Sequence, residues 1–135
     1  MVETTNKIII ASGPVIVENN KVLLDKHGDS DFWKFCGGQI KPGKNLQETA
    51  IIRSREELGI EIKILSDQPF LLYTQKNVGQ EKLDVILVHY LAERLTPVKP
   101  ADFIKDWAWL NLSDLEKENL APNIIPTLKH FGFID

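Results

Sequence analysis

Apolar, β-branched residues fill the start of the chain in two runs that a polar turn separates. Lys7 to Val17 reads KIIIASGPVIV, Asn19-Asn20 is a turn pair, and Lys21 to Asp25 reads KVLLD. Two apolar runs around a short Asn turn are typical of a β-hairpin. Gly13 and Pro14 interrupt the first run, so a bulge or bend is predicted there.

The middle of the chain has the pattern of a helix. Asn45 followed by Glu48 has the spacing of a capping box, and Gly59 is a typical C-terminal stop, so the helix is predicted over Leu46 to Leu58. At about 100° per residue, one narrow stripe of this helix is expected to be buried and a neighbouring sector to carry charges. The stripe is Ala50, Ile51, Ser54 and Leu58, and the charged sector is Arg53, Glu56 and Glu57.

Strand patterns dominate the remainder. Phe32, Trp33 and Phe35 predict a short strand before the glycines, and Lys82 to Glu93 is the longest run, apolar enough to be buried on both faces. Other strands are predicted at Glu61 to Leu65, Pro69 to Lys76 and Trp107 to Leu112; helices are predicted after Ser113, where Glu116 completes a capping box, and at Ile124 to Phe131. This order predicts an α/β domain with a mixed β-sheet between helices.

Composition narrows the class of protein. The 135 residues are expected to form a single domain, residues 1–135, with 43% hydrophobic and 26% charged residues. The net charge of −3 argues against nucleic acid or an anionic membrane as a partner. The one cysteine excludes an internal disulfide. No signal peptide and no long apolar run is evident, so a cytoplasmic location is expected. The oligomeric state, a homodimer included, stays open.

The predicted chemistry lies where the glycines meet the helix. Gly37 and Gly38 form a loop that leads into the helix with the adjacent acids Glu56 and Glu57. Mg²⁺ prefers carboxylate oxygens and keeps coordination sites open for water and phosphate, so the two acids are a candidate metal site. The alternative is that both are solvated surface charges, with Arg53 paired to Glu57 at i,i+4.

The segment from Gly38 to Ile60 resembles the Nudix box, which reads G-x5-E-x7-R-E-U-x-E-E-x-G-U with U an aliphatic residue. Gly38, Glu56, Glu57, Gly59 and Ile60 lie on its register, and Gly37, Pro42 and Gly43 match the usual flanking loop. The resemblance implies a Nudix-type α/β/α sandwich with a mixed β-sheet. It also implies a hydrolase that cleaves the pyrophosphate bond of a nucleoside diphosphate derivative with Mg²⁺ (or Mn²⁺), with Glu56 and Glu57 as metal ligands and catalytic residues.

Several positions depart from the Nudix pattern. Lys44 and Ile52 replace an acid and a base that pair with each other in the family, and Arg53 replaces a carboxylate that binds metal. Ser54 also stands at the aliphatic position, and Cys36 replaces the proline that commonly precedes the two glycines. The departures predict weakened catalysis. They also leave an alternative in which the chain is a catalytically silent nucleotide-binding module, with Lys44 and Arg53 holding the phosphates directly.

The sequence also suggests residues for base stacking and for the general base. Phe32 and Tyr73 are the aromatic residues proposed to stack on a base, and Gly37 and Gly38 are expected to border the bound substrate. The general base is open among four acids: Glu81, Glu93, Asp102 and Asp106. A distant alternative is a P-loop-like phosphotransferase, because Gly38 to Asn45 nearly matches G-x-x-x-x-G-K-[ST]. Against it, Asn45 replaces the required hydroxyl, and Pro42 removes an amide that would contact phosphate.

Overall fold

The computed structural model describes residues 7–135 as two β-sheets with helices packed against them. The larger sheet has the order β4-β1-β7-β5, with β6 also paired to β7, and the smaller has the order β2-β3-β8. The β1–β7 pair is parallel and the others are antiparallel, so the predicted mixed sheet is confirmed. In chain order the elements are β1 (Ile8–Val15), β2 (Val17–Glu18), β3 (Lys21–His27), β4 (Gly38–Gln39), α1 (Leu46–Leu58), β5 (Ile62–Ile64), β6 (Phe70–Val78), β7 (Glu81–Arg94), β8 (Ile104–Asn111), a 3-10 helix (Leu112–Lys117) and α2 (Ile124–His130).

The predicted N-terminal hairpin is half right. Asn19 and Asn20, both at positive φ, join β2 to β3 as a tight turn. β1 is not part of this hairpin, because it pairs in parallel with β7 in the other sheet. Its register continues through Gly13 and Pro14, so the predicted bulge is wrong and the chain changes sheets only after Val15. A local turn signal cannot reveal a partner strand some seventy residues away.

Strand β3 lies between the two α-helices because its side chains alternate between its faces. Leu23 packs with Leu58 of α1, whereas Leu24 packs with Ile124 and Leu128 of α2. The predicted α/β/α arrangement is therefore confirmed. Asp25 and His27 follow Leu23 at spacings of two, which directs them toward the side of α1.

Helix α1 bridges the two sheets. Asn45 and Glu48 form the predicted capping box, and Gly59 ends the helix in the left-handed conformation at φ 63°. Ala50, Ser54 and Leu58 are buried as predicted, while Ile51 is only half-buried. Two further residues, Thr49 and Glu57, are also buried. The burial of Glu57 separates it from its exposed neighbour Glu56.

The glycine loop sits directly on β1. A Cβ atom at Gly13 would lie 1.9 Å from the carbonyl oxygen of Cys36, so only glycine allows this approach. Gly38 then pairs with Ser12 as part of β4. The loop therefore has a fixed position beside the C-terminal half of α1.

The remaining predictions differ in detail. The short strand before the glycines is wrong, because Trp33 and Lys34 form only isolated bridges. After Asn111 the chain forms a 3-10 helix without a side-chain cap, so the Ser113 capping box is also wrong. The strands β5 to β8 and the helix α2 are confirmed near their predicted bounds. Within residues 7–135, the helices are too short or too polar to cross a bilayer.

Candidate functional site

A cleft of about 560 Å³ opens beside the glycine loop. β1, β3, β4 and α1 all contribute to its wall, and the loop before β8 adds Phe103. The residues that line the cleft are Ile9, Ala11, His27, Lys34, Gly37, Gly38, Gln39, Arg53, Glu56, Glu57, Lys76, Val85 and Phe103. The lining thus combines acids, cations and backbone amides.

Glu57 lies at the inner end of the acidic part of the cleft, with its side chain 5% exposed. Its Oε1 atom is 2.7 Å from Nε2 of His27 and accepts a hydrogen bond of 3.4 Å from the amide of Gly37. Nζ of Lys34 is 3.8 Å from the same oxygen. The box glutamate is therefore held by β3 and the glycine loop together.

Asp25 is a second buried carboxylate next to this group. Its side chain is fully buried, and neither oxygen accepts a hydrogen bond from any residue that the structure describes. Burial, opposed by the charge of Lys34, raises the pKa of Asp25 to about 6. Most buried carboxylates accept hydrogen bonds, and one that accepts none costs several kcal/mol or serves a function. Asp25 therefore requires an explanation beyond packing.

Asp25, His27 and Glu57 converge on one point. Nε2 of His27 is 3.4 Å from Oδ1 of Asp25 and 2.7 Å from Oε1 of Glu57, and the three side chains offer ligand atoms within 4.8 Å of one another. One imidazole N–H cannot satisfy both carboxylates. A divalent cation would satisfy both, so these three residues fit a bound metal, and the orphaned oxygens of Asp25 are the observation that supports the fit.

Glu56 has a different environment from Glu57. Its side chain is 40% exposed, and its two oxygens face Nζ of Lys41 at 2.6 Å and Nη1 of Arg53 at 3.3 Å. The hydrogen bond from Lys41 lowers the pKa of Glu56. Both oxygens already have cationic partners, so Glu56 is less suited to a metal than Glu57.

Arg53 is directed at the glycine loop. Its Nε and Nη2 atoms donate hydrogen bonds of 3.1 and 2.8 Å to the carbonyl oxygen of Gln39. Its third contact is with Glu56 at i,i+3, and among the described residues it forms no ion pair with Glu57. The predicted ion pair between Arg53 and Glu57 is therefore wrong, because the guanidinium donates to the loop carbonyl of Gln39 instead.

The cationic side of the cleft consists of Lys34, Arg53 and Lys76. They come from the loop before β4, from α1 and from β6, so they surround the opening from different elements. Cations arranged around a cleft favour a substrate that carries several negative charges. The lining is therefore suited to phosphate groups.

The structure brings some of the predicted site residues together. Gly37, Gly38, Arg53, Glu56 and Glu57 line the cleft. Three others lie outside the lining among residues 7–135. Lys44 faces Glu48 at 3.9 Å, the hydroxyl of Tyr73 donates to Asp84 at 2.5 Å, and Phe32 lies exposed before Trp33. The candidate bases Glu81, Glu93, Asp102 and Asp106 are likewise outside the described lining.

The sequence predicted no role for Asp25, Lys34 or Lys76, and it predicted His27 at the rim of the site but not as a metal ligand. A signal existed for Asp25, since an acid inside the apolar strand KVLLDKH requires a buried partner or a function. No local pattern distinguishes Lys34 and Lys76 from other surface lysines. Two further titratable residues of the core lie outside the cleft lining: burial lowers the pKa of His89 to about 3, and burial raises the pKa of the Cys36 thiol.

Comparisons with known proteins agree with this architecture. Residues 9–131 match the family model described as NUDIX domain. A search of curated proteins found no match. Among solved structures, the E. coli ORF135 protein is 24% identical with a TM-score of 0.69, covering 93% of this chain and 89% of that chain. A NUDIX hydrolase from Nitrosomonas europaea is 13% identical with a TM-score of 0.75, covering 93% and 88%. A C. elegans Ap4A hydrolase is 20% identical with a TM-score of 0.69, covering 91% and 94%.

Proposed function

The chain belongs to the Nudix hydrolase family, and from that premise we propose that it cleaves the pyrophosphate bond of a nucleoside diphosphate derivative with a divalent cation, Mg²⁺ or Mn²⁺. One observation carries the proposal. The cleft places the box acid Glu57 beside the cationic side chains that a diphosphate requires. Catalysis is expected to be weakened by the substitutions at Lys44, Ile52 and Arg53.

Lys34 and Lys76 are the proposed phosphate-binding residues of the hydrolase. Both line the cleft, and although Nζ of Lys34 lies 3.8 Å from Asp25 and from Glu57, the three rotatable donors of an ammonium group allow it to contact a phosphate as well. The Gly37 amide already donates to Glu57, and the missing side chain at Gly38 lets Arg53 lie against the loop backbone, since a Cβ there would be 2.9 Å from Nε of Arg53. The lysines and the loop would thus hold the diphosphate against α1.

The acids have separate proposed roles. Glu57, with Asp25 and His27 beside it, would hold the cation, which when bound polarises the diphosphate and neutralises developing charge. Glu56, the exposed carboxylate of the cleft, would accept the proton of the attacking water. Its lowered pKa makes it a weak base, because the efficiency of a general base falls with its pKa. This weakness supports slow turnover.

The silent binding module stays as the second candidate because of one specific contact. Arg53 occupies the position of a metal-binding carboxylate and forms an ion pair with Glu56. In this alternative Arg53 would hold the phosphates in place of part of the metal charge. The lysine at 44 has no such support, since it faces Glu48 on the helix surface.

The test is a panel of nucleoside diphosphate derivatives incubated with Mg²⁺, with Mn²⁺ or with EDTA. A neighbour named as an Ap4A hydrolase makes dinucleoside polyphosphates worth including beside nucleoside diphosphate sugars. The hydrolase is expected to release phosphate-bearing products only with the cation. Nucleotide binding by fluorescence polarisation without turnover of any compound would favour the binding module. ATP cleaved between its outer phosphates with strict dependence on Lys44 would favour the phosphotransferase.

Replacement of Arg53 separates the two candidates. We expect Arg53→Glu to raise hydrolysis about tenfold, equivalent to about 1.4 kcal/mol of transition-state stabilisation, because it adds a carboxylate and frees Glu56 from one cation. Steady-state kcat/KM on the best panel substrate measures this. Arg53→Gln is the matched control, since it removes the charge but keeps a donor for the Gln39 carbonyl. A folded Arg53→Glu protein that loses the wild-type activity or binding would identify Arg53 as a phosphate-binding group.

A further inference from the structure

We propose that the metal site of this chain consists of Asp25, His27 and Glu57, without Glu56, and that it selects a divalent transition-metal ion such as Mn²⁺ over Mg²⁺. The inference rests on the divalent-cation dependence proposed above and deepens it. Asp25 and His27 of strand β3 become metal ligands in place of Glu56 of the helix, and the preferred metal becomes Mn²⁺ instead of Mg²⁺.

The positions of the three side chains are the first support for this metal site. Asp25 and His27 lie two residues apart at the end of β3, and Glu57 faces them from α1, so all three ligands come from regular elements. Their ligand atoms lie within 4.8 Å of one another. Ligands of one cation at about 2.1 Å are separated by up to about 4.2 Å, so small rotations of these side chains complete a site. Rigid elements hold such a site better than loops do.

The second support is independent of the clustering. Both oxygens of Asp25 are buried and accept no hydrogen bond from the described part of the chain. Asp25 and Glu57 are buried acids that share a single neutralising imidazole and one lysine, Lys34, at 3.8 Å from each. That lysine also donates to the carbonyl of Phe35. The cationic partners therefore leave the lone pairs of Asp25 unused, and a metal ion would use them.

Glu56 is excluded by its partners. Lys41 contacts one of its oxygens at 2.6 Å and Arg53 the other at 3.3 Å. A cation that displaced both would leave two positive side chains without a counterion. Glu57 carries no comparable cost, because its nearest partner His27 is itself a metal ligand when its imidazole is neutral.

The ligand set determines the metal preference. Mg²⁺ takes oxygen ligands almost exclusively, whereas imidazole nitrogen suits the later divalent ions. One imidazole with two carboxylates resembles a catalytic metal site that keeps positions open for water and substrate. We expect Mn²⁺ and Co²⁺ to bind at least about tenfold more tightly than Mg²⁺.

The test measures metal binding alone, without nucleotide. Isothermal titration of the full chain with MnCl₂, CoCl₂ and MgCl₂ should give one site per chain, and Co²⁺ should develop visible absorption bands. Asp25→Asn and Glu57→Gln are expected to weaken Mn²⁺ binding by at least tenfold. His27→Gln should reduce the preference for Co²⁺ over Mg²⁺. Glu56→Gln and His130→Gln are controls expected to keep wild-type affinity, since His130 is an exposed residue of α2 that packs on Phe70.

A measurement on the unaltered chain protects the test against variants that fail to fold. Mn²⁺ added in small amounts should broaden the imidazole NMR signals of His27 before those of His130. Binding of Mn²⁺ that survives Asp25→Asn and His27→Gln but is removed by Glu56→Gln would overturn the proposal, as would no binding at millimolar Mn²⁺. The proposed hydrolase can fail separately, because metal bound at this site without turnover would retain the inference and reject the activity.

Discussion

Glu57→Gln should reduce hydrolysis by about a thousandfold on the substrate that the panel identifies, a loss of about 4 kcal/mol of transition-state stabilisation. Glutamine keeps the shape of the side chain and its contacts with the Gly37 amide and His27. It removes the charge that we assign to the cation, and metal stabilisation of phosphoryl transfer is worth several kcal/mol. The measurement is kcat/KM at saturating metal, with folding checked by circular dichroism.

Glu56→Gln is the matched control for this prediction. The two glutamates are adjacent on α1, but Glu56 is exposed and already has Lys41 and Arg53 as partners. We expect its loss to cost about tenfold, because a weak general base contributes less than a metal ligand. Equal effects of the two substitutions would restore the paired metal site that the sequence suggested. A fully active Glu57→Gln protein would remove the cleft from the mechanism.

Much of the architecture could be predicted because its signals are local. The cap at Asn45 and the stop at Gly59 depend on residues within one helix, and both form as predicted. The long apolar run of β7 is typical of a central strand, and it pairs with β1, β5 and β6. The partner of β1 was mispredicted because strand pairing across the sequence leaves no mark in either strand alone.

The site was harder to predict than the fold for the same reason. Helical periodicity predicts that Glu56 and Glu57 share one sector, but it contains no information that β3 would pack against Glu57 and bury it. Glu57 is in contact with His27, thirty positions away in the sequence. Lys76 reaches the cleft from β6 only because β6 pairs with β7. Helical angles describe one element, whereas a cleft is formed by several.

The structure also explains why the degenerate box need not unfold the protein. Arg53 replaces a carboxylate of the family pattern, yet its guanidinium finds the Gln39 carbonyl and Glu56 at the edge of the cleft. The side chain is thereby tied to the glycine loop and stabilises the loop's position. The substitution therefore puts a positive charge at the edge of the cleft, where its guanidinium has hydrogen-bonding partners in the fold.

Asp25→Asn should increase the free energy of unfolding of the metal-free protein at pH 7, and the gain should disappear toward pH 4. Burial, with a smaller contribution from the charge of Glu57, raises the folded pKa of Asp25 from 3.8 to about 6 against the opposing charges of Lys34 and His27. A group with a raised folded pKa is protonated more readily in the folded state. The stability that it contributes is complete below pH 3.8 and is lost as the pH rises through 6.

The loss amounts to about 3 kcal/mol across that window, and asparagine escapes it because the amide carries no charge. Urea unfolding in EDTA at several pH values, for the wild type and the variant, measures the difference. Asp29→Asn is the control, since Asp29 is exposed on the loop after β3 and should leave the pH profile unchanged. A pH-independent difference between Asp25→Asn and wild type would mean that Asp25 is not strained by burial. A gain in stability together with weaker Mn²⁺ binding would instead show that the chain keeps a destabilising acid for its function.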